Sequence, residues 1–438
     1  MAKRRDFIKK LTAGTAGIAI SGVASGLSAK SYARIIGAND RLNIAVIGLG
    51  GRGVLYDKAI SLKENNVNLI YLCDVMKSQR EKALESYSKL IDDKPVLEND
   101  IRKVISDPKL DAILNATPDH WHTPGACMAL SAGKHVYVEK PCSHNPHEAE
   151  LLVAFKKKYN KIVQMGNQYR SVSHFQEIVT EIHNGVIGKA FKATTFLSSP
   201  RKSIPVAVKA PVPEGLDWDL FQGPAPRTDY VNQIWDYIWH WYGWNYGTAE
   251  IMNNGIHEMD IARWALQVEY PEYVDVEAEK RYFVDDGWTM YDTMDATFKF
   301  PDKKIIKWDG KSRNAYNTYG NYRGVIIYGS EGTVNVDPLG YKVYSREGTL
   351  LKEKKRESET DDGTIAHISN FFNAIRGKEK LNSPIEIGVV SNMLANYANI
   401  AYRIGKPFEV DSETGRIFDR DAMKLWSRDY EPGWEPVL

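Results

Sequence analysis

Cysteine is almost absent: Cys73, Cys127 and Cys142 are the only three in 438 residues. They are too few for a disulfide scaffold and lie far from zinc-ligand spacing, so free, mostly buried thiols and no bound metal are expected. An excess of charge of either sign is also missing. Lys and Arg total 57 against 56 Asp and Glu, a net charge of +1, which leaves no electrostatic reason to bind nucleic-acid phosphates. Long hydrophobic runs are missing too. The apolar stretch from Leu11 to Leu27 is diluted by Thr12, Gly14, Thr15, Gly17, Ser21, Gly22, Ser25 and Gly26, whereas a membrane span needs about 20 strongly apolar residues. No internal repeat is evident. What is present is ordinary globular material, 43% apolar and 26% charged, long enough for two or three domains at roughly 150 residues each.

The first residues, MAKRRDFIKK, form a basic region ahead of that weakly apolar run, and small residues around Ser31-Tyr32-Ala33, or alternatively Ala29, offer a cleavage point. Arg4 and Arg5 followed by x-Phe-Ile-Lys resemble a twin-arginine signal, the route that exports proteins already folded. Residues 1–33 are therefore expected to direct export to the periplasm and to leave no stable membrane anchor after processing.

A nucleotide site is expected directly afterwards. Leu42 to Ile47 reads LNIAVI, a continuous apolar run suited to a buried parallel strand, and it enters Gly48-Leu49-Gly50-Gly51-Arg52-Gly53. Gly48, Gly50 and Gly53 fit G-x-G-x-x-G. The first permits the turn, the second lets backbone approach a pyrophosphate, and the third lets helix pack on strand. Gly51 and Arg52 share the loop, and the following helix would aim its N–H groups at the phosphates. A second apolar run, Asn68 to Cys73, ends in Asp74 at the distance expected of a ribose-binding acid, which would repel a 2′-phosphate and so favours NAD over NADP. Further βαβ units follow at Asp111 to Ala116 and His135 to Val138, and alternating strands and helices imply a doubly wound parallel sheet whose ligand lies beyond the strand carboxyl ends. Thr117, Pro118, His120 and His122 in the TPDHWHTP loop, and Glu139 and Lys140 before Pro141, fall at such ends and should face the cofactor. The His120 and His122 pair is read as part of that loop and not as metal ligands.

The glycine loop, ATPDHWHTP, Glu139-Lys140-Pro141 and a later Gly255-x-His257-x-x-Asp260 together resemble the glucose-fructose oxidoreductase, inositol dehydrogenase and rhizopine-catabolism (Gfo/Idh/MocA) family. The resemblance covers nearly everything after residue 40 and extends to Ile327–Thr333 and Asn370–Gly377. It implies an α/β protein: an N-terminal NAD-binding Rossmann domain, here 34–160, and a C-terminal α/β domain, 161–438, with a large, open, mostly antiparallel sheet that often makes homo-oligomer contacts. Strand-like runs at Lys189 to Leu197, Val274 to Phe283, Thr293 to Phe300, Ile305 to Trp308 and Val325 to Tyr328 agree with such a sheet. Ser199 to Tyr230 reads as a long irregular excursion, and Lys352 to Asp362 as a charged, solvated loop.

Oxidising an alcohol removes a hydride from carbon while a base takes the hydroxyl proton and a cation steadies the developing alkoxide. Lys140 suits the cation's place. The resemblance makes His257 the acid-base, with an imidazole expected to titrate near neutral pH. One departure stands out: family dehydrogenases commonly carry an Asp four positions before that histidine, and here Asn253 stands there, an amide that cannot take the proton. Asn253, Asp260, Trp241, Tyr169 and Arg170 are candidate substrate contacts, Trp241 belonging to the dense aromatic stretch Trp235 to Tyr246 whose ring faces suit a sugar. The leading expectation is an NAD-dependent oxidoreductase acting on a hydroxyl of a sugar, polyol or glycoside, with a tightly bound cofactor. The others are a glycosidase that oxidises a ring hydroxyl transiently, eliminates the aglycone, adds water and reduces again, and an inactive sugar-binding protein that keeps NAD structurally.

Overall fold

LNIAVI forms β1, Leu42–Ile47, with Ala45 and Val46 fully buried as a strand covered on both faces requires. It opens the first sheet, with β2 (Val67–Cys73), β3 (Val96–Glu98), β4 (Ala112–Asn115), β5 (His135–Val138) and β6 (Val163–Met165). Their order is β3-β2-β1-β4-β5-β6, and every pairing is parallel. The helices between them are α1 (Asp57–Ser61), α2 (Lys77–Tyr87), α3 (Ile101–Ser106), α4 (Asp119–Ser131) and α5 (Pro146–Tyr159), the last capped by the Asn145 side chain on the Glu148 amide. The strand order reverses between β1 and β4, so their carboxyl ends open a crevice. These features come from a computed structural model that describes residues 40–92, 94–356 and 363–438; the expected export signal at 1–33 lies outside them. The parallel sheet continues past residue 160 through β6.

After α6 (Ser173–His183) comes the second sheet: β7 (Ala190–Pro200), β8 (Tyr273–Glu279), β9 (Thr293–Lys299), β10 (Ile305–Lys311), β11 (Arg313–Asn314), β12 (Arg323–Gly329), β13 (Gly332–Asp337), β14 (Gly340–Ser345), β15 (Leu350–Lys355) and β16 (Phe408–Glu409). Its path runs β15-β14-β13-β12-β7-β10-β9-β8-β16, with β11 paired to β7, and only β7 with β10 is parallel. Period-two burial shows in β9, where Met294, Ala296 and Phe298 are buried. The predicted run to Phe283 stops earlier, at Glu279. The chain turns there because the Asp292 carboxylate accepts the Arg281 and Tyr282 amides at 2.9 Å each and Phe283 takes a left-handed φ of 46°. Part of the charged run from Lys352 is an edge strand and not a loop: β15 pairs with β14, and its Lys and Glu side chains guard the open edge.

Three helices join the sheets. Leu266 closes α7 (Ile256–Leu266), which lies on β7 and β12. From near the carboxyl end, α8 (Thr364–Ile375) returns to the first sheet and buries Ile368, Phe371 and Phe372 with Tyr56 and Tyr137. Finally α9 (Ile385–Ile404) packs against α5, α7 and β8. Cys73, Cys127 and Cys142 are buried free thiols.

Candidate active site

The glycine loop has the shape a dinucleotide needs. Gly48 sits at φ 84°, and a Cβ there would strike the Ala116 carbonyl oxygen at 2.4 Å, while one at Gly53 would lie 1.9 Å from the Gly48 oxygen. A Cβ on Gly50 or Gly51 would meet nothing within 4 Å, which leaves open space where phosphates would approach. Asp74, at the end of β2, accepts the Leu49 amide at 2.7 Å and the Met76 amide at 2.8 Å. It thereby ties the loop to the strand end and still lines the cleft. Gly53 leads into a 3-10 turn ahead of the short α1, so the phosphate-facing amides belong to a turn and not to a long helix. These residues fit NAD.

One cavity of ≈ 490 Å³ runs from that loop to the end of β5. Gly48, Gly50, Gly51, Arg52, Asp74, Thr117, Pro118, His122, Glu139, Lys140 and Asn253 line it. Glu139 is held by Arg52 Nε at 2.7 Å and by the Tyr56 hydroxyl at 2.8 Å. Burial alone would raise its carboxyl, but Arg52 and Lys140 beside it, with those hydrogen bonds, hold it below the usual carboxylate range. Lys140 points the other way. Its Nζ donates to the Asn253 backbone carbonyl at 2.6 Å and approaches the Asn253 amide oxygen at 3.5 Å. That carbonyl belongs to a π-helical turn, Ile251–Gly255, just before α7, an irregularity often found at functional sites. Burial lowers the Lys140 ammonium, with Glu139 and Asp119 opposing.

His257 opens α7 behind this point. It is 5% exposed, packed against the Tyr169 ring at 5.0 Å, and its Nδ1 is buried without a hydrogen-bond partner. Burial, then the charges of Lys140 and Arg323, push its imidazole well below the ordinary value. The near-neutral titration expected of His257 is therefore not what its surroundings give, because a cation cannot be solvated there. The group shifted toward neutrality is Asp119, which no sequence pattern singled out. It is the first residue of α4, it lines the cleft, and its Oδ2 accepts the Thr248 hydroxyl. Burial pushes its carboxyl up to about 7 against the pull of Thr248 and Lys140.

The remaining candidates divide by neighbour. Arg170 and Asp260 form a buried bidentate pair at 2.7 and 2.9 Å, with the Ser391 hydroxyl also on Asp260, and neither lines the cleft. Trp241 is stacked on Trp288 at 4.4 Å with the Arg201 guanidinium 4.7 Å from its ring, and Tyr169 is stacked on Phe175 at 4.7 Å. His120 Nε2 donates to the Phe221 carbonyl at 2.8 Å from a fully buried position. His122 Nδ1 donates to the Pro141 carbonyl at 2.6 Å, which braces the turn carrying Lys140.

The excursion after β7 covers the nucleotide end. Leu216 forms a bridge with Met76, the Lys77 amide donates to Gly215 at 2.9 Å, and the Asp217 amide donates to Val75 at 3.1 Å. Met76, Leu216, Phe221, Ile234 and Trp239 bury one another. Trp235, Tyr237, Trp239 and His240 then line the cleft opposite Lys140, and the Tyr237 hydroxyl accepts the Asn253 amide at 3.3 Å. The aromatic stretch signalled this wall. Its register, with Trp239 and His240 lining and Trp241 in the core, could not be read from composition.

Residues 42–167 match the model of an oxidoreductase family's NAD-binding Rossmann fold, and residues 196–435 match that family's C-terminal alpha/beta domain. The D-glucoside 3-dehydrogenase of Escherichia coli is 21% identical over 81% of this chain and 93% of its own length. A glycosyl hydrolase family 109 protein of Shewanella baltica is 28% identical over 42% of this chain and 44% of its own. Among solved structures, an oxidoreductase from Agrobacterium radiobacter in complex with NAD+, L-tartaric acid and magnesium superposes with a TM-score of 0.64 at 14% identity, covering 84% of this chain and 98% of that one.

Proposed function

The chain belongs to the Gfo/Idh/MocA family of NAD-binding oxidoreductases, and from that premise we propose that it oxidises a secondary hydroxyl of a sugar, polyol or glycoside with an NAD that stays bound through turnover, in the periplasm. One observation carries the reading: the dinucleotide-shaped glycine loop and the Lys140 ammonium line a single continuous cavity. When bound, NAD accepts a hydride from carbon or returns one. Lys140 steadies charge on the reacting oxygen, and its bond to the Asn253 carbonyl aims it. His257, kept neutral by burial, offers an imidazole nitrogen to the same oxygen, and Asn253 with Tyr237 orients neighbouring hydroxyls. The exposed side of the second sheet, where Asp275, Asp295 and Lys307 point outward, is assigned to contact with a second copy of this chain.

A second reading, the redox-neutral glycosidase, is favoured by the cover over the nucleotide end, which suits a cofactor regenerated within each cycle, and by the likeness to the glycosyl hydrolase family 109 protein. Incubating purified protein with polyols and aryl glycosides, with and without added NAD, decides between them. Net NADH accumulation supports a dehydrogenase. Aglycone release without net NADH, with solvent deuterium entering the carbon beside the oxidised centre, supports the glycosidase. Neither result on any member of the panel removes both.

A further inference from the structure

Four carboxylates line the cleft, and three are accounted for. Asp74 holds the glycine-loop amides, Glu139 is paired with Arg52, and Asp236 lies at the exposed rim. Asp119 is different. It is 3% exposed, forms no ion pair among the described residues, and its carboxylate accepts the neutral hydroxyl of Thr248. Buried carboxylates are ordinarily matched by a guanidinium or ammonium, because an unmatched charge out of water is costly. The second sheet follows that rule nearby, with Glu250 on Arg201 at 2.7 Å and Glu258 on Arg323 at 2.7 Å. Here Lys140 lines the same cavity and pulls on the carboxyl electrostatically, with no ion pair between the two.

The vacancy that Asp119 would fill is chemical. Residue 253 carries an amide, so the proton taken from a substrate hydroxyl finds no carboxylate at that position to receive it. We propose that Asp119 is the proton store of this site, acting through Lys140. This rests on the oxidoreductase reading above. As the hydride leaves the carbinol carbon for the nicotinamide, the hydroxyl proton moves to the Lys140 nitrogen while Lys140 hands one of its own protons, relayed by a water in the cavity both residues line, to the Asp119 carboxylate. The result is a ketone, NADH, a Lys140 ammonium and a neutral Asp119, with no net proton released to solvent. Re-reduction runs the same transfers backward, so one carboxyl serves both directions of a cycle.

Electrostatics agree with the placement. The titratable and charged groups along the cleft are Arg52, Asp74, His122, Glu139, Lys140, Asp236, Tyr237 and His240, with His257 behind Asn253. His122, His240 and His257 are all driven below their ordinary values by burial, and Glu139 is held ionised. Asp119, pushed up to about 7 by burial, is able to gain and lose a proton near neutrality. Thr248 donates to one oxygen and keeps the carboxyl fixed.

The test uses the NAD-loaded full chain with carbon-13-labelled aspartate carboxyls, the Asp119 signal being assigned by its loss in Asp119→Asn. The proposal expects a midpoint near neutrality that moves upward in Lys140→Met, because the neighbouring cation that favours ionisation is gone. A midpoint in the ordinary carboxylate range, or one that Lys140→Met does not move, overturns it whatever the activity. Single-turnover NADH formation from methyl α- and β-D-glucopyranoside gives the second readout. Asp119→Asn, with NAD affinity unchanged, should slow it about a hundredfold and erase the pH limb near neutrality, and Asp119→Glu should restore the limb. A limb that survives in Asp119→Asn overturns the proposal. If neither glycoside nor any polyol reduces the bound NAD in the parent protein, the oxidoreductase reading falls, and the carboxyl titration still decides whether Asp119 and Lys140 exchange charge.

Discussion

Lys140 is held by one backbone carbonyl, and that contact crosses from the first sheet's strand end to the turn before α7. Lys140→Met and His257→Ala should each cost about a hundredfold or more in turnover, the usual scale for a positioned charge or acid-base group, with NAD affinity unchanged by fluorescence titration. Asp74 sets a second expectation. A carboxylate at the end of β2 repels a 2′-phosphate, so cofactor-stripped protein should bind NAD more tightly than NADP by at least about tenfold, and tighter NADP binding would show that its role is confined to the loop amides. Asp119 predicts a pH dependence of stability. Its carboxyl rises from 3.8 to about 7 on folding, so the native state keeps a proton that the unfolded chain has released, and stability falls as pH climbs across that window. Asp119→Asn lacks this loss. Its melting temperature relative to the parent should therefore increase by about 2 °C or more between about pH 4 and about pH 8. At this scale the sequence disclosed what short motifs disclose. Gly48, Asp74, Glu139 and Lys140 announce themselves because each sits at a fixed offset from an apolar strand. Asp119 does not, since its distinction is that no cation among the described residues pairs with it, and that is a property of the folded surroundings.

At the scale of elements, β1, β2, β4 and β5 of the first sheet and β7 to β10 and β12 of the second were legible in period and apolar run, the charged β15 was not, and strand ends were decided by individual contacts such as Asp292 gathering the Arg281 and Tyr282 amides. The excursion after β7 could be recognised as irregular from its prolines, but not as the cover of the nucleotide cleft, because the bridge between Leu216 and Met76 joins residues far apart in the chain. Its hold is small and apolar: Leu216 and Phe221 are 8% and 4% exposed, against Met76 and Trp239. Truncating such a buried side chain removes about 2 kcal/mol or more, and every 1.4 kcal/mol is about tenfold in an equilibrium. Leu216→Ala and Phe221→Ala should therefore each speed NAD release at least about tenfold in stopped-flow fluorescence. Unchanged release would mean that the cover does not gate the cofactor.

On the whole-molecule scale, the two sheets are tied together by chain that leaves and returns. The helix α8 that follows β15 of the second sheet buries Phe371 and Phe372 on the first sheet with Tyr56 and Tyr137, and the cover from the second half closes over the nucleotide end of the first. The cover is made midway along the chain, after the glycine loop and β5, so the cavity that fits NAD is complete only when the chain has folded through Asn254. A protein exported unfolded would have to find NAD outside the cytoplasm, where little soluble nicotinamide nucleotide is available. One exported folded carries it along, and we propose that the paired Arg4 and Arg5 ahead of a weakly apolar run, which resemble a twin-arginine signal, direct the chain to that route. The expected outcome is that replacing Arg4 and Arg5 with lysine leaves the precursor in the cytoplasm, folded and already holding NAD, while the native protein reaches the periplasm with NAD bound in near-stoichiometric amount. Cell fractionation followed by nucleotide extraction reads both. Normal export of the Lys-Lys variant removes the folded-export claim, and periplasmic protein recovered without NAD removes the argument that the cover exists to keep it.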